Sequence, residues 1–207
     1  ITTKDLARSA AKTSFSFGLS GTVHFWYKPL NVNPDGLVNY SSVLFDSELI
    51  KIWTGLEEGE EACFYAGIKD EQGQIKQTIR TNVKVGYDWQ HLQVSYSFKD
   101  AGSDSNTISF YVNGCLAGAL EGIRFTPFGS LIGEVPGTDN VWLGCDCHEE
   151  NFAQGYLDAV ALNKYYLHEQ YQPQAAGILD YDEALAEIHF NLAENVGEPD
   201  ILRYFLV

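Results

Sequence analysis

Two stretches of this chain alternate strictly between apolar and polar side chains, and that alternation limits the fold more than any other feature. In 107–113, Ile108, Phe110 and Val112 point one way while Thr107, Ser109 and Tyr111 point the other. In 91–98, Leu92, Val94, Tyr96 and Phe98 alternate with His91, Gln93, Ser95 and Ser97. A period of two is the period of a β-strand, and no helix places every second residue on one face. Residues 99–106, polar and containing Gly102, link the two stretches as a hairpin with a loop longer than the tight types.

The same reading extends along the chain. Residues 21–28 are bulky on both faces and read as a central strand covered on both sides, ended by Pro29. Residues 42–45 and 49–53 form a strand pair, 57–61 an acidic turn, and 62–68 with 74–81 a second hairpin about Gly73. Residues 141–144 and 155–163 supply two more strands, and no long amphipathic helix precedes residue 164. Many short strands separated by turn residues indicate a sandwich or barrel. A length of 207 residues fits one such domain with an appendage, and 45% hydrophobic residues suffice for a core. The net charge of −15 repels phosphate backbones and anionic membranes, so nucleic acid is not an expected partner. No apolar run approaches the ~20 residues of a bilayer span, so membrane insertion is not expected either.

The order of motifs resembles the laminin-G-like, concanavalin-A-like jelly rolls. Residues 22–29 (Thr-Val-His-Phe-Trp-Tyr-Lys-Pro) resemble their "FW-K-P" strand, and 88–96 (Asp-Trp-Gln-His-Leu-Gln-Val-Ser-Tyr) their "W-H-V-V-Y" strand. Residues 108–114 resemble the "LYVNG" hairpin, 141–144 the "IG" strand and 155–162 the "G-IDEV-IY" closing strand. The resemblance implies an all-β fold of two antiparallel sheets packed face to face. It implies no single function, because this fold hosts lectins, adhesion modules, glycan-active enzymes and spacers.

In one respect the chain departs from that family. The usual first strand is missing ahead of 22–29, and a similar run stands at 186–197 instead. The expected organisation is a jelly-roll sandwich over 1–163, a linker over 164–184, and a C-terminal extension, 185–207, carrying the displaced strand. As a strand, Ile188, Phe190 and Leu192 share a face; Tyr181, Leu185, Ile188 and Leu192 also fit helical spacing, and periodicity does not choose. With the apolar end around Tyr204 and Phe205, this extension completes either its own sandwich or that of a neighbouring copy. The expected function is therefore a non-enzymatic extracellular module that polymerises head-to-tail with copies of itself. The alternative is a calcium-dependent, glycan-binding adhesion domain.

Candidate sites follow from residue chemistry. Asp146, Glu149, Glu150 and Asp158, with His148 nearby, offer oxygens of the kind calcium takes, and Asp158 matches the Asp of the family's closing strand. Trp53, Trp142 and Tyr165, along with Tyr166 and Tyr171, are aromatics able to stack on sugar faces. Asn39 opens the one Asn-x-Ser/Thr sequon, a glycosylation site in an exported protein. Cys63, Cys115, Cys145 and Cys147 are even in number and fit an oxidised chain. A direct bridge between Cys145 and Cys147 would be strained, so disulfides would run to Cys63 or Cys115, with free buried thiols the other reading. The one-residue spacing of Cys145 and Cys147 does not suit zinc. No catalytic residues are assigned: the closest carboxylate pair, Glu58 and Glu60, lies in a Gly-containing turn, and the five histidines are scattered. A chain that opens on Ile1 and holds no Met is expected either to be a processed one or to lack its initiator.

Overall fold

The computed structural model describes residues 19–30, 38, 40–56, 61–70, 72–98, 105–123, 140–148 and 150–163. Asn39, Glu149, Tyr165, Tyr166, Tyr171 and the assembly residues Ile188, Phe190, Leu192, Tyr204 and Phe205 lie outside these, as do the linker and the C-terminal extension. The described residues form ten strands: β1 Ser20–Pro29, β2 Ser42–Ser47, β3 Ile50–Gly55, β4 Cys63–Lys69, β5 Ile75–Lys84, β6 Gln90–Ser97, β7 Thr107–Val112, β8 Cys115–Glu121, β9 Val141–Leu143 and β10 Gly155–Asn163. They build two antiparallel five-stranded sheets, ordered β10-β1-β6-β7-β8 and β5-β4-β3-β2-β9. The expected two-sheet antiparallel sandwich is the observed fold.

The alternation seen in the sequence becomes the core. Val23, Phe25 and Tyr27 of β1, Leu92, Val94 and Tyr96 of β6, and Ile108, Phe110 and Val112 of β7 are buried on one side of their sheet. Ile50, Ile52, Phe64, Ala66 and Ile68 oppose them from the other sheet. Phe25 stacks on Phe45 across the gap with ring centroids 6.5 Å apart, and Tyr27 meets Phe64 edge-on at 84°. Side chains from two inner faces thus interdigitate, as they do in aligned sandwiches.

Strand β8 is one that period two does not announce, because Cys-Leu-Ala-Gly-Ala-Leu-Glu holds no β-branched residue. Its turn creates it. Asn113 and Gly114 both take positive φ (51° and 77°), the geometry of a two-residue type I′ hairpin, and this folds the following segment back onto β7. Farther along, Gly118 stays small because Ile79 of β5 fills the space where a Cβ would stand. At this edge the two sheets meet most closely.

The cysteine expectation is corrected. No disulfide joins the four cysteines, of which Cys63 and Cys145 are buried and Cys115 and Cys147 exposed. Cys63 lies on β4, and Cys145 and Cys147 follow β9, three strand positions away in the same sheet. At ~4.8 Å per strand that is about 14 Å, against a Cα separation of ~7 Å at most for a disulfide. Cys115 opens β8 in the opposite sheet. Partial desolvation and, after it, the neighbouring Asp46 charge raise the Cys147 thiol above its ordinary value, which favours the protonated thiol.

Candidate aromatic binding face

The outward face of β3, β4 and β5 gathers aromatic and basic side chains. Register puts Trp53 opposite Tyr65 and Tyr65 opposite Arg80; the adjacent row runs Lys51, Gly67, Thr78. Directly opposed residues share a face, so these six lie together. The Trp53 and Tyr65 rings are nearly parallel, 13° apart, with centroids separated by 5.4 Å.

Two glycines set their posture. A Cβ on Gly67 would stand 3.0–3.1 Å from the six-membered ring of Trp53, and one on Gly55 would stand 2.8–3.1 Å from the Tyr65 ring. Each ring therefore lies down over bare backbone on the neighbouring strand. Arg80 donates Nε–H to the Tyr65 hydroxyl at 3.2 Å, which fixes the guanidinium beside the pair.

The face closes toward β2 and opens toward β5. Near β2, the buried Lys69 ammonium donates to Asp46 Oδ1 at 2.5 Å and to the Ser47 carbonyl at 2.7 Å, while Asp46 Oδ2 accepts the Cys147 N–H at 3.0 Å. The ion pair thereby bridges across β3 and ties down the turn after β9. Within that turn, Asp146 accepts N–H bonds from His148, Glu150 and the Asn151 side chain. Burial pushes the Asp146 carboxyl up, but these three bonds outweigh it and hold it below the usual carboxylate value. On the β5 side, Arg80, Thr78, Asn82 and Lys84 are exposed.

Of the five sugar-stacking candidates named from the sequence, the two within the described residues, Trp53 and Trp142, lie on this side of the sheet. Trp53 stands on β3, and Trp142 lies opposite Asp46 on β9, in register with Lys51. The sequence did not single out Tyr65, Arg80 or Lys51, because only strand register reveals them as neighbours of Trp53. Two of the calcium candidates stand on different sheets. Asp146 organises the turn after β9 in one sheet, whereas Asp158 lies on β10 of the other, opposite Trp26, with Oδ1 accepting the Ala159 N–H. Among the described residues, no three His, Cys, Asp or Glu side chains converge as a metal site.

A second cluster went unforeseen. On the outward side of the other sheet, His24 Nδ1 and His91 Nε2 are 3.4 Å apart, and Trp26 packs on His91 at 5.2 Å between ring centroids. Thr22 and Ser95 share a hydroxyl–hydroxyl bond of 3.0 Å beside them, and Gln93 donates to Ser95. Thr22, His24, Trp26, His91, Gln93 and Ser95 are all buried, so β1 and β6 are covered on both faces, as the bulk of 21–28 led one to expect. This polar layer is sealed from solvent, while the β3–β5 face is open to it.

Residues 2–170 match the family described as the concanavalin A-like lectin/glucanases superfamily. No curated protein matches by sequence. Among solved structures, the chain is similar to a protein from Bacteroides ovatus provisionally assigned to carbohydrate binding, at 14% identity and a TM-score of 0.52 over 79% of this chain and 42% of that one. It is also similar to domain 4 of the extracellular arabinanase AbnA from Geobacillus stearothermophilus, solved with arabinotriose (16% identity, TM-score 0.47, 76% and 66% covered). A third likeness is to the receptor-binding domain of botulinum neurotoxin type G (10% identity, TM-score 0.46, 73% and 36% covered). At these identities the likeness is one of fold, and the chain spans less than half the length of the first of these proteins.

Proposed function

The chain belongs to the concanavalin A-like lectin/glucanases superfamily, and from that membership we propose that it is a non-catalytic glycan-binding module working through the open face of β3, β4 and β5. The observation that carries this reading is the Trp53–Tyr65 pair lying nearly parallel over Gly67 and Gly55. Flat aromatic surface held in place by the backbone beneath it stacks on the apolar face of a sugar ring at little cost in side-chain entropy. Catalysis finds no support on this face. Glycoside hydrolysis needs a pair of carboxylates flanking the scissile bond, and Asp46 is the one carboxylate in the five strands of this sheet, already bound to Lys69. A secreted setting suits such a module; no helix among the described residues is long and apolar enough to cross a membrane.

The test is affinity electrophoresis of the full chain through gels containing a panel of polysaccharides, with and without chelator. Trp53→Ala should weaken binding by about 2 kcal/mol, roughly thirtyfold, while circular dichroism stays unchanged. Retention that is indifferent to Trp53, or no retention on any polysaccharide, overturns the reading. A loss of retention in chelator adds calcium to it.

Assembly is the second reading, favoured by the pattern of 185–207 and by the position of β10 at the edge of its sheet among the described strands. An edge strand presents backbone donors and acceptors that a strand from another copy can pair with. A chain truncated after residue 184 should sediment as a smaller particle than the full chain. Equal particle mass, with folding retained, sinks this reading.

A further inference from the structure

Both exposed tyrosines among the described residues stand at one end of the other sheet. Tyr87 is 65% exposed and Tyr156 46%, and Leu30, at the end of β1 beside them, is 48% exposed. Strand pairing explains the gathering. Lys28 opposes Tyr156, and Tyr27 opposes Gln90, so Trp89 falls beside Lys28 on its other side. Tyr27 and Leu157 point into the core, which turns Tyr156, Lys28 and Trp89 outward as one row.

Strands β10 and β6 flank β1 and stand about 10 Å apart. The Tyr156 and Trp89 rings nevertheless come within 6.4 Å of each other, tilted by 43°. Each therefore leans across β1 toward the other. Gly155 sets the base of this pair: a Cβ there would stand 2.5 Å from the Lys28 carbonyl oxygen and 2.5 Å from the Tyr27 ring, so only bare backbone lets β10 start this close to β1. The sealed polar layer of His24, Trp26 and His91 ends one row away, and the sheet opens to solvent at the ring pair. Leu30, Tyr87 and Tyr156 expose on the order of 300 Å² of largely apolar surface, well short of the ~800 Å² that each partner gives to a stable protein interface. Lys28, Asp88 and Asp158 border the rings with hydrogen-bonding groups. A flat apolar area of this size, edged with donors and acceptors, suits a sugar ring better than a protein.

We infer that the Tyr156–Trp89 pair is a second sugar-stacking site, and that one chain thereby cross-links polysaccharide strands. This rests on the glycan-binding reading above and extends it. The Trp53–Tyr65 pair lies on the outward face of the opposite sheet, so the two sites are reached from opposite sides of the sandwich. Two sites engaged on one network hold more tightly than either alone, and the loss of one costs more than its own contact.

In the experiment the full chain is run on gels containing dextran, galactomannan or hydroxyethyl cellulose, and is mixed with each in solution while light scattering is read. At least one polysaccharide should retain the chain. Scattering with it should rise and then fall as polysaccharide passes into excess, because joining strands takes two sites per chain. Tyr156→Ala, at an exposed position, should weaken retention about tenfold and abolish the rise, with circular dichroism unchanged. Tyr156→Phe, which keeps the ring, should preserve both. Trp53→Ala should also abolish the rise yet keep part of the retention, and the double variant should lose retention altogether. Retention without a rise in scattering, or a rise that survives Tyr156→Ala, overturns the inference and leaves the reading of the first face standing. Retention that falls with Tyr156→Ala but is indifferent to Trp53→Ala overturns both, as does retention on none of the three.

Discussion

Lys69→Met is expected to destabilise the domain by about 3–5 kcal/mol, as a large downward shift of the urea midpoint with little change in slope. Lys69 and Asp46 are 9% and 1% exposed, and their bond joins β2 to β4 across the intervening β3. Removing the ammonium leaves a carboxylate out of water with one remaining hydrogen bond identified, from the Cys147 N–H. The same loss frees the turn after β9, which Asp46 anchors. Replacing both partners together, Lys69→Met with Asp46→Leu, should recover most of the stability, because an apolar pair of similar volume needs no charge balance. A single variant that loses less than about 1 kcal/mol would show that water reaches this pair.

The second large effect is one of pH. Burial and, after it, the charge of His24 hold His91 well below the ordinary histidine value. In the unfolded chain the same imidazole takes up a proton near pH 6.5. The unfolded state therefore binds more protons below that pH, so this contribution is fully present above about 6.5 and is lost as pH falls through and below it. The slope approaches about 1.4 kcal/mol per pH unit for one proton once the unfolded imidazole is fully charged. The lowered carboxylates Asp70 and Asp146 act in a separate window, losing their contribution only as pH falls below about 4. Urea titrations from pH 7.5 to 4.5 should show the decline, and His91→Gln should flatten it. A flat profile in the parent protein would mean that His91 is protonated in the folded state.

The strands were largely legible because alternation is a one-dimensional signal. Residues 155–163 are β10 as expected, 107–113 became β7, and 21–28 became a β1 buried on both faces. What one dimension does not carry is register. Trp53 was a candidate by type alone; its partnership with Tyr65 and Arg80 depends on how β3, β4 and β5 slide past one another, with bulges at Cys63/Tyr65 and Ile68/Lys69. His24 and His91 stood 67 residues apart and looked unrelated until β1 and β6 were paired. Strand β8 was implied only by the resemblance of 108–114 to a hairpin, because its cause is a turn, not a propensity. The cysteines misled for a different reason: an even count carries no information about the distance between strands.

The pairing of β1 with β10 sets a constraint on synthesis. Thr22 pairs with Asn163, so the second of these strands leaves the ribosome after nearly every other described part of the sandwich has been made. Until then β1 can pair with β6 alone and offers its other side to any passing chain. High contact order of this kind slows folding and prolongs the aggregation-prone interval. A premature stop near residue 150 would consequently leave β1 with β6 as its one partner strand among those described, and holdase chaperones would be needed most during the stretch of translation before Asn163.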